Sequence, residues 1–380
     1  MIRILYCLIL SGWCLGIQAQ PNKMYRSLKE IKKAPEKVYR AHLDVNLYWT
    51  PPEILYACQN LNYLILHTRE LHQTGMGVKH KYGISSLSGK IAQLRQLMFL
   101  DLSYNQIFEL PYEIGQLKKL RYLRLYNNQL KSLPNTLGKL VNLQELSLRG
   151  NQLNTLSQAL EGCQQLTTLD LGRNQFKQVP EVLAKFTKLE QLDLGGNPIK
   201  MLPNALFKSL LTLRILHLEG IKLKRIPESI GKLTKLESLF LANNKLRKLP
   251  LEIEQMQNLE YLLLRNNAFT QFPKVIAQLK KLKELDLGNT TWDDIPDELK
   301  GSMEKKDFKI SFNKLKKLPD VITQLSELER LNLKNNKLTK LPKNIGKLKK
   351  LKYLTLKGNP IPKEELTRIK KALPTCEVMF

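Results

Sequence analysis

One interval governs this chain. The pattern LxxLxLxxNxLxxLPxxIGxLxx returns every 23 residues: LMFLDLSYNQIFELPYEIGQLKK at 97–119, LRYLRLYNNQLKSLPNTLGKLVN at 120–142, LTTLDLGRNQFKQVPEVLAKFTK at 166–188, and LERLNLKNNKLTKLPKNIGKLKK at 328–350. Copies begin at Val38, Leu61, Leu97, Leu120, Leu143, Leu166, Leu189, Leu213, Leu236, Leu259, Leu282, Lys305, Leu328 and Leu351, fourteen in all. A fixed period in this range marks a stacked-repeat architecture. The LxLxx part alternates with period two, so it suits a short strand with Leu inward and the residues between them outward. The NxLxxLPxxIGxL part turns the chain back. One turn cannot bury its apolar side alone, so stacked turns share one core and the ends need caps. A length of 380 residues ordinarily suggests two or three domains. The unbroken period makes it one solenoid instead.

These motifs resemble the leucine-rich repeat family. The LPxxIGxL half is similar to the subclass of Ras-group-related plant proteins and of many bacterial repeat proteins. The resemblance covers nearly the whole mature chain. It implies an α/β fold: a horseshoe solenoid with a parallel β-sheet on its concave face, about fourteen repeats and short helical caps. It also implies an interaction scaffold, and it names no ligand.

Two recurrent residues read as structural. Asn105, Asn128, Asn151, Asn174, Asn197, Asn244, Asn267, Asn313, Asn336 and Asn359 share one slot, where an amide satisfies backbone groups left open as the strand turns. Arg69, Ile221 and Thr290 fill that slot in three copies, which predicts a broken ladder there. The Pro before each return segment, as at Pro111, Pro134 and Pro180, fixes φ and ends local pairing.

The first nineteen residues, MIRILYCLILSGWCLGIQA, carry Arg3, an apolar run from Ile4 to Ile17 and a small residue at the end, the pattern of a secretory signal peptide. The run is too short to span a membrane, and the rival reading is an N-terminal apolar strand. Tyr6 and Trp13 precede Cys7 and Cys14, which argues against a lipid anchor. The expected organisation is a signal peptide at 1–19, a helical cap at 20–37, the solenoid at 38–360 with an insertion at 72–84, and a second cap at 361–380. Ser27 and Glu30 form a candidate capping box. In the last segment, Glu364 and Glu365 come early and Lys370 and Lys371 late, as a helix dipole favours, and CEVMF reads as a small strand.

Cys58 and Cys163 occupy the same core position four repeats apart. At ~4.8 Å per strand they lie roughly 19 Å from each other, too far for a disulfide, so they read as buried thiols. The net charge is +27, with many Lys in the return segments. A solvated surface explains such charge; attraction to a polyanion is the functional rival.

The outward strand residues form columns that do not repeat themselves, as a recognition surface requires and as an idle surface also allows. Tyr63, Phe99, Tyr104, Tyr122, Arg124, Tyr126 and Arg149 make an aromatic and basic zone in the early copies. Asp170, Asp193, Glu190 and Glu219 make an acidic centre. Phe240 and Leu263, read as exposed, follow with Tyr261 and Arg265, and Lys309, Arg330, Lys334, Lys352 and Lys357 form a basic end. Tyr and Arg dominate binding hot spots; cross-strand packing is the structural alternative. The insertion HQTGMGVKHKYG displays His72, Lys79, His80, Lys81 and Tyr82, either as a binding loop or as a tolerated surface insertion. His72 and His80 lack a third metal ligand. No GxxxxGK[ST], HExxH or GxSxG motif is present, so the chain reads as a non-enzyme with no cofactor.

Three functions compete at this stage. The leading one is a secreted, periplasmic or cell-surface protein, read as a monomer without a transmembrane segment, that binds a protein or glycan on the concave face. The second is a binder of nucleic acid, acidic polysaccharide or lipid headgroups. The third, if the N-terminus is not a signal, is an intracellular Ras-type signalling scaffold.

Overall fold

The computed structural model describes residues 23–44, 50–67, 83–291, 294 and 311–380. The signal segment and the insertion residues His72, Lys79, His80, Lys81 and Tyr82 lie outside these residues, as does Lys309. The described strands form one fifteen-stranded sheet in chain order, parallel at every step, as where Phe99–Asp101 pairs with Tyr122–Arg124. Met24–Tyr25 leads, the repeat strands run from Arg40–Asp44 to Tyr353–Thr355, and Glu377–Met379 closes the sheet. Most repeat strands hold three residues, the middle one a fully buried Leu such as Leu123 or Leu169.

The return segments are single 3-10 turns. Tyr112–Gln116 is one, entered from Pro111 at φ −68°, the angle the proline ring enforces. Hydrogen bonding sets the strands close together on one side, and the wider return turns sit on the other. The stack therefore curves with the sheet inside, and the outward strand residues face the hollow. Leu, Ile and Phe from both sides fill one continuous core, with Phe176, Phe186, Phe207 and Phe269 fully enclosed.

The asparagine ladder has the expected chemistry. Asn128 donates through Nδ2 to the carbonyls of Leu102 (2.9 Å) and Leu125 (3.1 Å), and its Oδ1 accepts the Ile107 N–H at 2.9 Å. Each amide thus ties three backbone groups of two adjacent coils. Ile221 cannot do this; it is buried in the core, and Lys222 beside it takes a left-handed φ of 60°. The copy before it is one residue longer, Leu189 to Leu213, and returns through an α-helical turn at Leu206–Ser209.

Two departures keep the core intact. After the first insertion, Ile84 stands where Leu71 would: its N–H donates to Asn105 Oδ1 at 3.0 Å, as Ile107 does to Asn128. The second changes the expected number of strands. Glu284–Asp286 pairs directly with Arg330–Asn332, although the copy beginning at Lys305 stands between them in sequence. Asn313 fills the ladder slot in place of Thr290, accepting from Phe269 N–H (3.1 Å) and donating to Leu264 and Leu287 carbonyls (3.1 Å each). The ladder slot thus moves by one whole period. A reciprocal clamp holds the junction: Asn313 N–H to Asn289 Oδ1 at 2.7 Å, and Asn289 Nδ2 to Asn313 O at 2.9 Å.

Both caps are helical. Leu28–Lys33 starts from Ser27, whose hydroxyl accepts the Glu30 N–H at 3.4 Å, and it covers the first repeat with buried Ile31. Glu30 pairs with Lys23 at 4.0 Å. Lys363–Ala372 covers the last repeat with buried Ile369, and the small strand read from CEVMF is Glu377–Met379.

Candidate recognition face

Tyr122, Arg124 and Tyr126 all face the hollow of the coil, each half-buried between the buried Leu123 and Leu125. Neighbouring strands are in register, so Tyr63, Phe99 and Tyr122 stand side by side. Tyr63 and Phe99 stack at 4.2 Å with planes 8° apart, and Phe99 and Tyr122 lie 6.1 Å apart and tilted. The Arg40 guanidinium lies over the Tyr63 ring at 4.7 Å and that of Arg124 over Phe99 at 5.1 Å. Such contacts add to the area they bury. Phe99 is 3% exposed. Its expected role as a contact residue is therefore corrected: its neighbours cover it, and it supports Tyr63 and Tyr122.

Arg124 is fixed further by Glu145, with Nε to Oε1 at 2.7 Å and Nη2 to Oε2 at 3.2 Å. This is the fork geometry that holds a guanidinium rigidly. Tyr104 and Tyr126 meet edge to face at 5.0 Å. Tyr104 adopts φ 57°, at a slot that holds Asn127, Gly150, Arg173, Gly196 and Asn243 in other copies. A bulky side chain in that left-handed region is costly, and such strain concentrates at functional positions. Burial raises the Tyr126 hydroxyl above the ordinary phenol range, with the nearby Asp101 adding to it. Asp101 is itself raised by burial, against hydrogen bonds from Ser103.

In the acidic centre, Arg149 reaches across a whole repeat to Asp193, Nη1 to Oδ2 at 2.6 Å, and passes Asp170 at 3.9 Å. Gly172 makes the path: a Cβ there would lie 2.2 Å from Arg149 Nη1. One guanidinium thus serves two recessed carboxylates. Burial, then the Asp193 charge, pushes Asp170 up to about 7. His217 stacks on Phe240 at 4.2 Å and places Nδ1 3.4 Å from Glu219. Phe240 is therefore half-buried, and Leu263, expected to be exposed, is 4% exposed under its neighbours. Tyr261 and Arg265 are half-buried beside it.

The basic end is largely paired. Arg330 lies 3.7 Å from Glu284, Lys352 2.8 Å from Glu329, and Lys334 bonds Asp294. Similar ion pairs run lengthwise, Arg214 with Glu237 and Lys283 with Glu260. In the return segments Lys119, Lys188 and Lys281 donate to Gln96, Gln165 and Asn258 one repeat away. These three lysines thus tie neighbouring repeats together along the return segments. Cys58 and Cys163 are buried free thiols, bonded to backbone carbonyls and pushed up to about 11 by burial.

Sequence reasoning missed four features of this face: the contact between His42 and His67 (Nε2 to Nε2, 3.3 Å), the clamp role of Glu145, the Gly172 path, and the left-handed slot of Tyr104. The 23-residue spacing of Arg124 from Ser147 and of Tyr122 from Glu145 carried a signal for the clamp, because equal positions in consecutive copies become strand neighbours.

Known proteins agree with this architecture. Residues 113–200 and 202–317 match the model described as "Leucine-rich repeat region", 306–361 match "Leucine rich repeat", and 96–117 match "Leucine Rich Repeat". A leucine-rich repeat protein of Leptospira interrogans is 33% identical over 95% of this chain and 100% of its own, with a TM-score of 0.64. The chain belongs to the leucine-rich repeat family. An internalin of Listeria monocytogenes shares the fold at 20% identity, covering 92% of this chain and 88% of its own, with a TM-score of 0.69. So does a plant peptide hormone receptor in complex with RGF2, at 24% identity over 90% of this chain and 54% of its own, with a TM-score of 0.59. This chain thus spans about half of that receptor chain. No curated protein matches the sequence. Proteins of this family are typically protein-interaction scaffolds and usually lack catalytic activity. No helix among the described residues is long and apolar enough to cross a membrane.

Proposed function

We propose that this chain is a secreted or cell-surface scaffold that binds a protein on its concave face, anchored by Tyr63, Tyr104, Tyr122, Arg124 and Tyr126. The observation that carries this reading is the way the aromatic rings are held. Tyr63 is stacked on Phe99 and covered by Arg40, Tyr122 leans on Phe99, and Tyr104 and Tyr126 meet edge to face, so each ring is held by a neighbour. A sugar prefers an open aromatic face. Tyr rings held by their neighbours beside a fixed guanidinium suit a protein surface, because the side chains are ordered before the partner arrives. Arg149 follows the next strand after this anchor, Tyr261 and Arg265 belong to a copy six strands further along the same sheet, and the 72–84 insertion falls by sequence in the copy beginning at Leu61. The apolar start of the chain supports export. The family's typical role as a protein-interaction scaffold supports a protein partner.

The test is binding of envelope and secreted proteins to the immobilised chain and to a folded Tyr122→Ala, Arg124→Ala, Tyr126→Ala variant. The expected result is at least a tenfold loss of retained partner in the variant. Undiminished retention removes the anchor assignment. The polyanion reading predicts a steep loss of binding with salt; the pairing of the basic side chains favours a weak salt dependence instead.

A further inference from the structure

The sheet has an end that is dressed differently from its middle. Glu377–Met379 is the last strand among the described residues, and it has one neighbour, Tyr353–Thr355. Glu377 donates its N–H to Lys352 O at 2.8 Å, and Met379 accepts the Leu356 N–H at 2.7 Å. Alternate residues of a parallel strand turn their backbone groups to opposite sides. Glu377 and Met379 face inward in this way, so the N–H and C=O of Val378 between them point off the edge. Leu354, the register partner of Val378, occupies the equivalent position one strand earlier. An open edge of this kind is a template for another strand.

The side chains around the edge are exposed and apolar: Met379 is 43% exposed, Phe380 38% and Tyr353 38%. Earlier strands cover theirs. The rim is cationic. Lys370 lies over the Phe380 ring at 5.2 Å, Arg330 over Tyr353 at 5.1 Å, and Lys357 is exposed next to the Leu356–Met379 bond. Residues 328–380 hold fourteen Lys and Arg against four Asp and Glu, a surplus of ten positive charges. Glu377 is the one carboxylate on the edge strand.

We propose that this edge is a second docking site, taking an acidic extended segment of a partner protein as a further parallel or antiparallel strand. Backbone pairing to Val378 supplies the register. Apolar side chains of the segment meet Met379 and Phe380, and its carboxylates meet Lys357 and Lys370. This is strand addition at a sheet edge, with main-chain bonds for affinity and side chains for selection. A second copy of this chain is disfavoured there, because it carries a net charge of +27 itself and would meet a cationic rim. The site is independent of the concave anchor, and either can fail without the other.

Full-length protein and two fluorescein-labelled octapeptides decide it: alternating Glu and Val, and alternating Lys and Val. The expected result is that the acidic peptide binds at least tenfold tighter than the basic one and weakens as salt rises. Val378→Pro, which removes the outward N–H, lowers that affinity at least tenfold with an unchanged melting temperature. Should that variant fold poorly, the double variant Lys357→Glu, Lys370→Glu takes its place and reverses the peptide preference. No binding of the acidic peptide, equal binding of both peptides, or full binding by Val378→Pro and by the charge-reversed variant overturns the proposal.

Discussion

The early and the late repeats use the same backbone and dress it in opposite ways. From Arg40 to Arg149 the concave side chains are knit to one another across strands: Arg40 on Tyr63, Tyr63 on Phe99, Arg124 on Phe99 and Glu145, Arg149 on Asp193. From Arg330 to Phe380 single cations lie over single rings, Arg330 over Tyr353 and Lys370 over Phe380, and Tyr353, Met379 and Phe380 remain exposed. The lesson is that a solenoid core leaves the display columns free to differ between stretches, and the early repeats draw part of theirs into packing while the last repeats leave theirs open. A rigid, pre-packed surface suits a partner read by shape. An open edge suits a segment that orders on arrival.

The sharpest way to break this comparison is to cut one aromatic from each region. Phe99→Ala removes a buried ring that holds up two tyrosines and should cost about 3–5 kcal/mol. Tyr353→Ala removes a ring on an exposed face and should cost roughly 1 kcal/mol or less. Urea unfolding of both variants measures the gap; equal costs contradict the description of the two regions. The next effect concerns the centre. Gly172→Ala should displace the Arg149 guanidinium and leave Asp193, whose side chain is 6% exposed, without its cation, at a cost of about 1–3 kcal/mol. An unchanged melting temperature rejects the idea that Gly172 makes room for the pair.

A third effect depends on pH. Asp170 is raised to about 7 in the folded chain, above its unfolded value near 3.8. The folded state therefore binds a proton more tightly than the unfolded state between those values, and stability falls as pH rises from about 4 to 7. Asp170→Asn should flatten this slope, so that the variant gains stability relative to the native chain as pH rises from 4 to 8. Parallel stability curves for the two proteins across that range refute it. The smallest effect compares two forked Arg–Glu pairs. Glu145→Gln, with a side chain 13% exposed, should cost about 1–2 kcal/mol. Glu237→Gln, 39% exposed, should cost roughly 0.5 kcal/mol or less.

The period made the fold legible because it states the interior twice, once in the strand leucines and once in the return. The ladder asparagines, the free thiols and the terminal strand at Glu377–Met379 followed from position alone. Sequence reasoning placed Tyr122, Arg124 and Tyr126 on the hollow side for the same reason. It could not see how much one display residue hides another. Phe99 and Leu263 alternate like exposed residues, yet ring stacking and the close spacing of strands cover them. Nor could it see that Thr290 surrenders its slot to Asn313, because KISFN at 309–313 keeps the repeat pattern while Glu284–Asp286 pairs with Arg330–Asn332 directly.

The central claim is that the concave face of the early repeats meets a protein. The most direct measurement places a photo-crosslinking phenylalanine analogue at position 122 in one protein and at position 112 in another. Tyr112 is 73% exposed on a return turn, away from the sheet. Both proteins are irradiated in the presence of the cell's envelope and secreted fractions. The account predicts a discrete protein adduct from position 122 and none from position 112. An adduct from 112 alone, or the same adduct from both, contradicts it.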